Sequence, residues 1–257
     1  MEIMITAIFA VMLAFAVKAI MASFKKRMSG LPVVNVNDEV LEQRISFYRR
    51  LDSTGRLRFK NEVVSFLQRV SITPINTTIT DTDRMLVAAS AVIPVFALEG
   101  WTYPFLEEVL VYNDHFNSEF QSSGDEYRNI MGLVGTGAYK NKMLLSKSAL
   151  HAGFGNEPDQ SNTAIHEFVH LIDGADGVTD GVPRILMEKE DVQPWIELMH
   201  TEMEKMKEEE ADFNPYGYTS KTEFFAVASE YFFESPEIFK EKHPVLFDMM
   251  QKAFRTK

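Results

Sequence analysis

Two histidines stand four residues apart in the stretch NTAIHEFVHLIDG: His166 and His170, with Glu167 directly after the first. On a helix, residues i and i+4 lie one turn apart on the same face. Both imidazoles then point at one spot, which suits a single divalent ion. Glu167 is rotated by about 100° around the axis. It reaches past the metal, where it can take a proton from a water activated there. That is the mechanical content of the H-E-x-x-H pattern. The plainer alternative is a pair of half-exposed helix histidines with no ligand.

A catalytic zinc needs a third protein ligand and an open position. The chain contains no cysteine, so that ligand is a His, Asp or Glu. Asp176 stands six residues beyond His170, where the H-E-x-x-H-x-x-G-x-x-H pattern has its third histidine. The donor is therefore sought in a later segment. Glu223, Glu230, Glu234 and Glu237 are candidates, in or just after TEFFAVASEYFFESPE. Glu223 is favoured because it falls in the first turn of its expected helix. Phe224 and Phe225 beside it would bury that helix against the site. Tyr216 lies seven residues earlier, in a loop, placed to aim its phenol at a substrate. Glu230 shares the Glu223 face two turns on. It reads as a partner that supports a ligand from behind, and as the runner-up ligand.

Asp173 lies one turn beyond His170, at a helix C-terminus, where the dipole disfavours a carboxylate. A supporting role behind a metal ligand is the reading that explains it. Asp173, Asp176 and Asp180 together lack the acid spacing and distal Glu of an EF-hand loop, so calcium is not expected. His115, His151, His200 and His243 are scattered and read as surface or capping residues. His151 is the one of these nearest the expected entrance.

These residues need elements to hold them. Ser161 and Asn162 are N-cap types for a helix through Asp173, and Gly174 and Gly177 end it. The segment over residues 220–235 reads as a helix that stops before Pro236, with a polar helix over 192–211 ahead of it. Two amphipathic helices are expected over 41–51 and 57–70, split by DSTG. Residues 80–98 start with capping Thr and Asp and read as a buried helix ended near Pro94. Residues 105–114 and 141–150 read as strands, with Gly-rich turns around 132–137 between them. HPVLFDMMQKAF makes a last short helix. The expected fold class is α+β: mostly helical, with a small sheet.

The bulk chemistry agrees with a globular domain. Apolar residues are 46% and charged residues 25% of the 257, a composition that can bury a core. A net charge of −11 argues against direct nucleic-acid binding, which needs a basic surface. Residues 3–17 carry no charge, and Lys18, Lys25, Lys26 and Arg27 follow. With Lys18 reaching toward the interface, this run approaches the roughly 20 apolar residues that a span needs. Its basic cluster lies after the apolar stretch, where a cleaved signal has it before. The expected organisation is a transmembrane anchor over 1–28, a linker over 29–40 and one domain over 41–257. The positive-inside rule puts that domain in the cytoplasm. A cleaved signal, or a soluble cytoplasmic chain with a buried apolar helix, is the alternative.

IHEFVHLIDGADGVTDGVP together with YGYTSKTEFFAVASEYFFESPEIF resembles the MtfA-type zinc peptidases, the Mlc titration factor A family. The resemblance runs upstream through ALEGWTYPFLEEVLVYNDHF and MLLSKSALHAG, and covers about residues 40–255. It implies a zincin-type domain with a glutamate as third ligand, related to the catalytic domain of anthrax lethal factor. It implies one Zn²⁺ on His166, His170 and Glu223, with Glu167 as base and Tyr216 assisting. Many glutamate zincins carry an acidic residue four after the third ligand, where it orients a histidine. Val227 holds that position here, so the role falls to Asp173, Asn162 or Glu230. The resemblance also implies a peptide or protein substrate and an aminopeptidase-like activity. A regulatory alternative comes with it: sequestering a transcriptional repressor with the zinc site retained. Zincin architecture would let an extended substrate add to the sheet edge near residues 143–146.

Overall fold

A computed structural model describes residues 36–113, 141–155, 161–208 and 212–254. The expected anchor over 1–28, most of the linker, the Gly-rich turns near 132–137 and His115 lie outside the described residues. Among the described residues, no helix is long and apolar enough to cross a membrane. The described residues belong to one compact unit.

The described residues are mostly helical, with a three-stranded sheet. The chain runs α1 (Asp38–Arg44), α2 (Ser46–Arg49), α3 (Ser53–Arg69), β1 (Ser71–Ile75) and α4 (Asp81–Val92). Next come β2 (Glu108–Tyr112), β3 (Lys142–Ser146), α5 (Lys147–Gly153) and α6 (Thr163–Asp173). The last elements are α7 (Lys189–Glu208), a short 3₁₀ turn over Pro215–Tyr218, α8 (Lys221–Glu234), α9 (Pro236–Lys242) and α10 (Pro244–Ala253).

The sheet order is β1-β2-β3, and both pairings are parallel. Central β2 is buried on both faces through Val109, Leu110 and Val111, as a covered parallel strand must be. Four sequence expectations shift. The missed strand β1 contains Pro74, which reads against a strand but is tolerated at a sheet edge. The expected strand over 141–150 is β3 followed by α5, because the Ser146 hydroxyl accepts from the Ala149 N–H and starts a helix. The break between the two expected helices falls at residues 50–52; Asp52 caps the Gly55 N–H, and the rest of DSTG begins α3. Residues 38–40, expected in the linker, form the first turn of α1, capped by Asn37.

Helix α6 has a fully apolar inner face of Ala164, Ile165, Phe168, Val169 and Ile172, at i, i+3 and i+4 spacing. Burying each of the larger of these stabilises the fold by roughly 1.5–3 kcal/mol. That face fixes α6 in rotation, which leaves His166, Glu167 and His170 pointing away from the main core. Helix α8 packs alongside α6. Phe224 and Phe225 lock α8 against Trp195 of α7, with ring centroids 6.2 and 5.8 Å apart. Gly181 adopts a φ of +75°, and an added Cβ there would stand 2.3 Å from the Lys221 carbonyl oxygen. Only glycine lets the loop after α6 approach the first turn of α8, where Glu223 begins its work.

Candidate metal centre

Asn162 is the N-cap of α6; its side-chain oxygen accepts from the Ile165 N–H. Ser220 caps α8, accepting from the N–H of Glu223 itself. The two caps fix the helix starts, and the donors follow. The rings of His166 and His170 sit 4.6 Å apart at 87°. Glu223 Oε2 lies 3.0 Å from His166 Nε2 and 3.7 Å from His170 Nε2. One ligand atom from each of these three residues falls within 4.8 Å of the others. Two imidazole nitrogens and one carboxylate oxygen at this separation fit a divalent metal ion with room for a further ligand.

Behind His166 stands Glu230. Its Oε1 accepts from His166 Nδ1–H at 2.7 Å, so Nε2 is turned toward the cluster. Its Oε2 accepts from the Asn162 N–H at 2.6 Å. The Asn162 amide in turn donates to the Gly153 carbonyl and to Glu234 Oε1. Glu230 thus occupies the place from which a histidine is oriented, three residues past Val227. Asn162 touches Glu230, not a histidine. Asp173 is wholly buried, and its Oδ2 accepts from the Gly181 N–H at 2.8 Å. Its Oδ1 and His170 Nδ1 are both buried without a hydrogen-bond partner among the described residues. Asp176 and Asp180 pair with Arg184. Of the other histidines, His151 pairs with Asp83, and His243 with Asp212 and Glu202. His243 joins a half-buried network with Asp212 and Tyr231 and stands at the junction of α9 and α10, a capping position as expected.

Electrostatics follow from this crowding. Burial lowers the His166 pKa, but the carboxylates of Glu223 and Glu230 outweigh it and raise it to about 10. Burial works against ionised Glu223, yet contact with both histidines holds it at about 2. Glu167 is raised, chiefly by burial, with the two imidazoles pulling the other way. A raised His166 stabilises the metal-free fold fully below its unfolded value of 6.5, and that support is lost as pH rises through about 10. At neutral pH the metal-free protein therefore carries a proton on His166, which a metal must displace. Binding of a divalent metal ion is expected to release about one proton per ion at pH 7 and to tighten as pH rises. Calorimetry in buffers of different ionisation enthalpy reads this directly. Zero proton release would mean that His166 is neutral before the metal arrives.

The three donors and Glu167 open into a cleft of about 690 Å³. That is the size of a typical ligand site. Tyr216, in the 3₁₀ turn, lines it, with its ring 6.3 Å from that of His166. Residues 103–106 form another part of the wall, and Leu171, Ala175, Thr179, Asn214 and Thr222 contribute elsewhere. Sequence reading did not single these out, because nothing local marks a wall built by tertiary packing. Neither His151 nor residues 143–146 appear in the described lining.

A helix-borne H-E-x-x-H pair closed by a glutamate from a second helix is the donor set of a metallopeptidase-type site. Residues 21–255 match the model of the Glucose-regulated metallo-peptidase M90 family, and the chain belongs to that family. Among curated proteins it is similar to Mlc titration factor A of Pectobacterium atrosepticum, 31% identical over 74% of this chain and 75% of that protein. Mlc titration factor A of Serratia proteamaculans is 28% identical over 80% and 81%. An uncharacterized protein of Synechocystis sp. is 28% identical over 84% and 82%. The chain is thus MtfA-like.

Proposed function

We propose that this chain is a zinc-dependent peptidase of the zincin type, with His166, His170 and Glu223 as ligands. The observation that carries the reading is the convergence of those three donors beside a buried carboxylate, Glu167, at the base of an open cleft. A zinc ion held by His166, His170 and Glu223 would supply Lewis acidity and make water in the cleft more acidic. Glu167 takes the proton of the attacking water and delivers it to the leaving amine. Its raised pKa suits both halves of that exchange. The Tyr216 hydroxyl donates to the oxygen of the scissile carbonyl as charge develops there. Glu230 holds His166 in the tautomer that keeps Nε2 available. The experiment is digestion of a peptide pool by the full chain, read by mass spectrometry. New termini should form, stop with a chelator and return with zinc. Cleavage that persists in the chelator would sink the proposal.

The names of the relatives support a second reading, in which the chain binds and sequesters a transcriptional repressor. Capture of such a repressor by metal-free protein, together with the absence of peptide cleavage by the zinc-loaded form, would favour it.

A further inference from the structure

Exposed large apolar side chains usually sit singly on a surface and mean little. Among the described residues Leu57, Phe105, Val178, Tyr218, Ile238 and Val245 are of this kind, and of these Phe105 alone lines the metal cleft. Phe105 is 61% exposed, yet its backbone is fixed on both sides.

On one side is Tyr103. Its hydroxyl donates to the Ala91 carbonyl at 2.7 Å, and its ring packs 5.1 Å from that of Phe168. Phe168 sits between the two metal-site histidines in sequence, on the inner face of α6. On the other side is Leu106, which is buried and donates its N–H to the Tyr103 carbonyl, closing a tight turn. Glu107 then bonds the Asn141 carbonyl as β2 begins. Pro104 restricts the chain between these anchors. Phe105 is therefore held at the tip of a turn moored to the helix that carries the histidines. The fold leaves a large apolar ring in water here and pre-organises it. Such an arrangement binds well, because little ordering remains to be done on contact.

Leu171, one turn beyond Glu167 on α6, adds a half-buried apolar side chain to the same cleft. Acid chemistry in the described lining is already engaged: Glu223 and Glu230 hold His166, and Glu167 is buried.

We propose that Phe105 and Leu171, in the wall of the metal cleft, form an apolar subsite that selects a peptide substrate by a Leu-, Phe- or Met-type side chain. This rests on the peptide-binding part of the proposed function, and it concerns recognition rather than chemistry.

The test uses zinc-loaded full-length E167Q and labelled decapeptides of one sequence, varied at the central residue among Leu, Phe, Gly and Lys. Fluorescence anisotropy should show the Leu and Phe peptides binding at least about 10-fold more tightly than the Gly and Lys peptides. In the double variant E167Q/F105A that ratio should collapse, with zinc content and melting temperature unchanged. Equal binding of all four peptides, or an unchanged ratio in the double variant, overturns the subsite. Cleavage of the same peptides by wild-type chain is read in parallel. Selective, Phe105-dependent binding without wild-type cleavage would uphold the subsite and reject the peptidase chemistry. Cleavage without selectivity would do the reverse.

Discussion

Glu167→Gln is expected to bind zinc as the wild type does and to lose about a thousandfold in turnover. General acid–base catalysis contributes about 10²–10⁴-fold in well-placed cases, and the proposed mechanism assigns both proton transfers to Glu167. The amide keeps the size of the side chain but cannot accept a proton. Glu167 is buried, and neutral Gln avoids the cost of an ionised group there, so folding should not suffer. Elemental analysis and peptide hydrolysis, measured on one preparation, separate the two effects. Turnover at the wild-type rate would remove Glu167 from the chemistry.

The second large effect separates the two glutamates of α8. Glu230→Ala should weaken zinc by about 10–100-fold, the usual cost of losing the group behind a ligand. Glu223→Ala should weaken it further, since it removes a donor 3.0 Å from His166 Nε2. Stability should run in the opposite order. Loss of Glu230 strips partners from buried Asn162 N–H and His166 Nδ1 together. Each unsatisfied buried group costs about 1–3 kcal/mol. Glu223 is more exposed, and its loss leaves one imidazole edge open to the cleft. Competitive zinc titration against a chelating dye, alongside thermal melting, reads both orders. A larger zinc loss in Glu230→Ala than in Glu223→Ala would make Glu230 the ligand.

How much of this was legible without coordinates depends on the range of each interaction. The i, i+4 spacing of His166 and His170 is a property of one helix, and so are the Asn162 cap and the start of the next helix near residue 220. Those were readable. The choice between Glu223 and Glu230 needs two helices docked in register. Sequence could rank the pair but could not show Glu230 reaching Asn162 and His166 at once. Val227 pointed to a gap in the usual pattern; the compensating carboxylate lies one turn further along the same helix. The sheet was harder. Strand β1 contains Pro74, and its strand character comes from pairing with β2 rather than from its own residues. Parallel pairing itself has no local signature. Phe105 and Leu106 read as the start of a strand that in fact begins at Glu108, because the anchors of that turn, Ala91 and Phe168, are distant in sequence.

The central claim is that one zinc ion, on this donor set, makes the chain a peptidase. Its most direct test is a titration of zinc into metal-free full chain, following peptide hydrolysis and bound zinc together. Hydrolysis should be absent at the start, rise in proportion to bound zinc and level off at one ion per chain. Hydrolysis by the metal-free chain, or a fully zinc-loaded chain that cleaves no peptide in the pool, would contradict it.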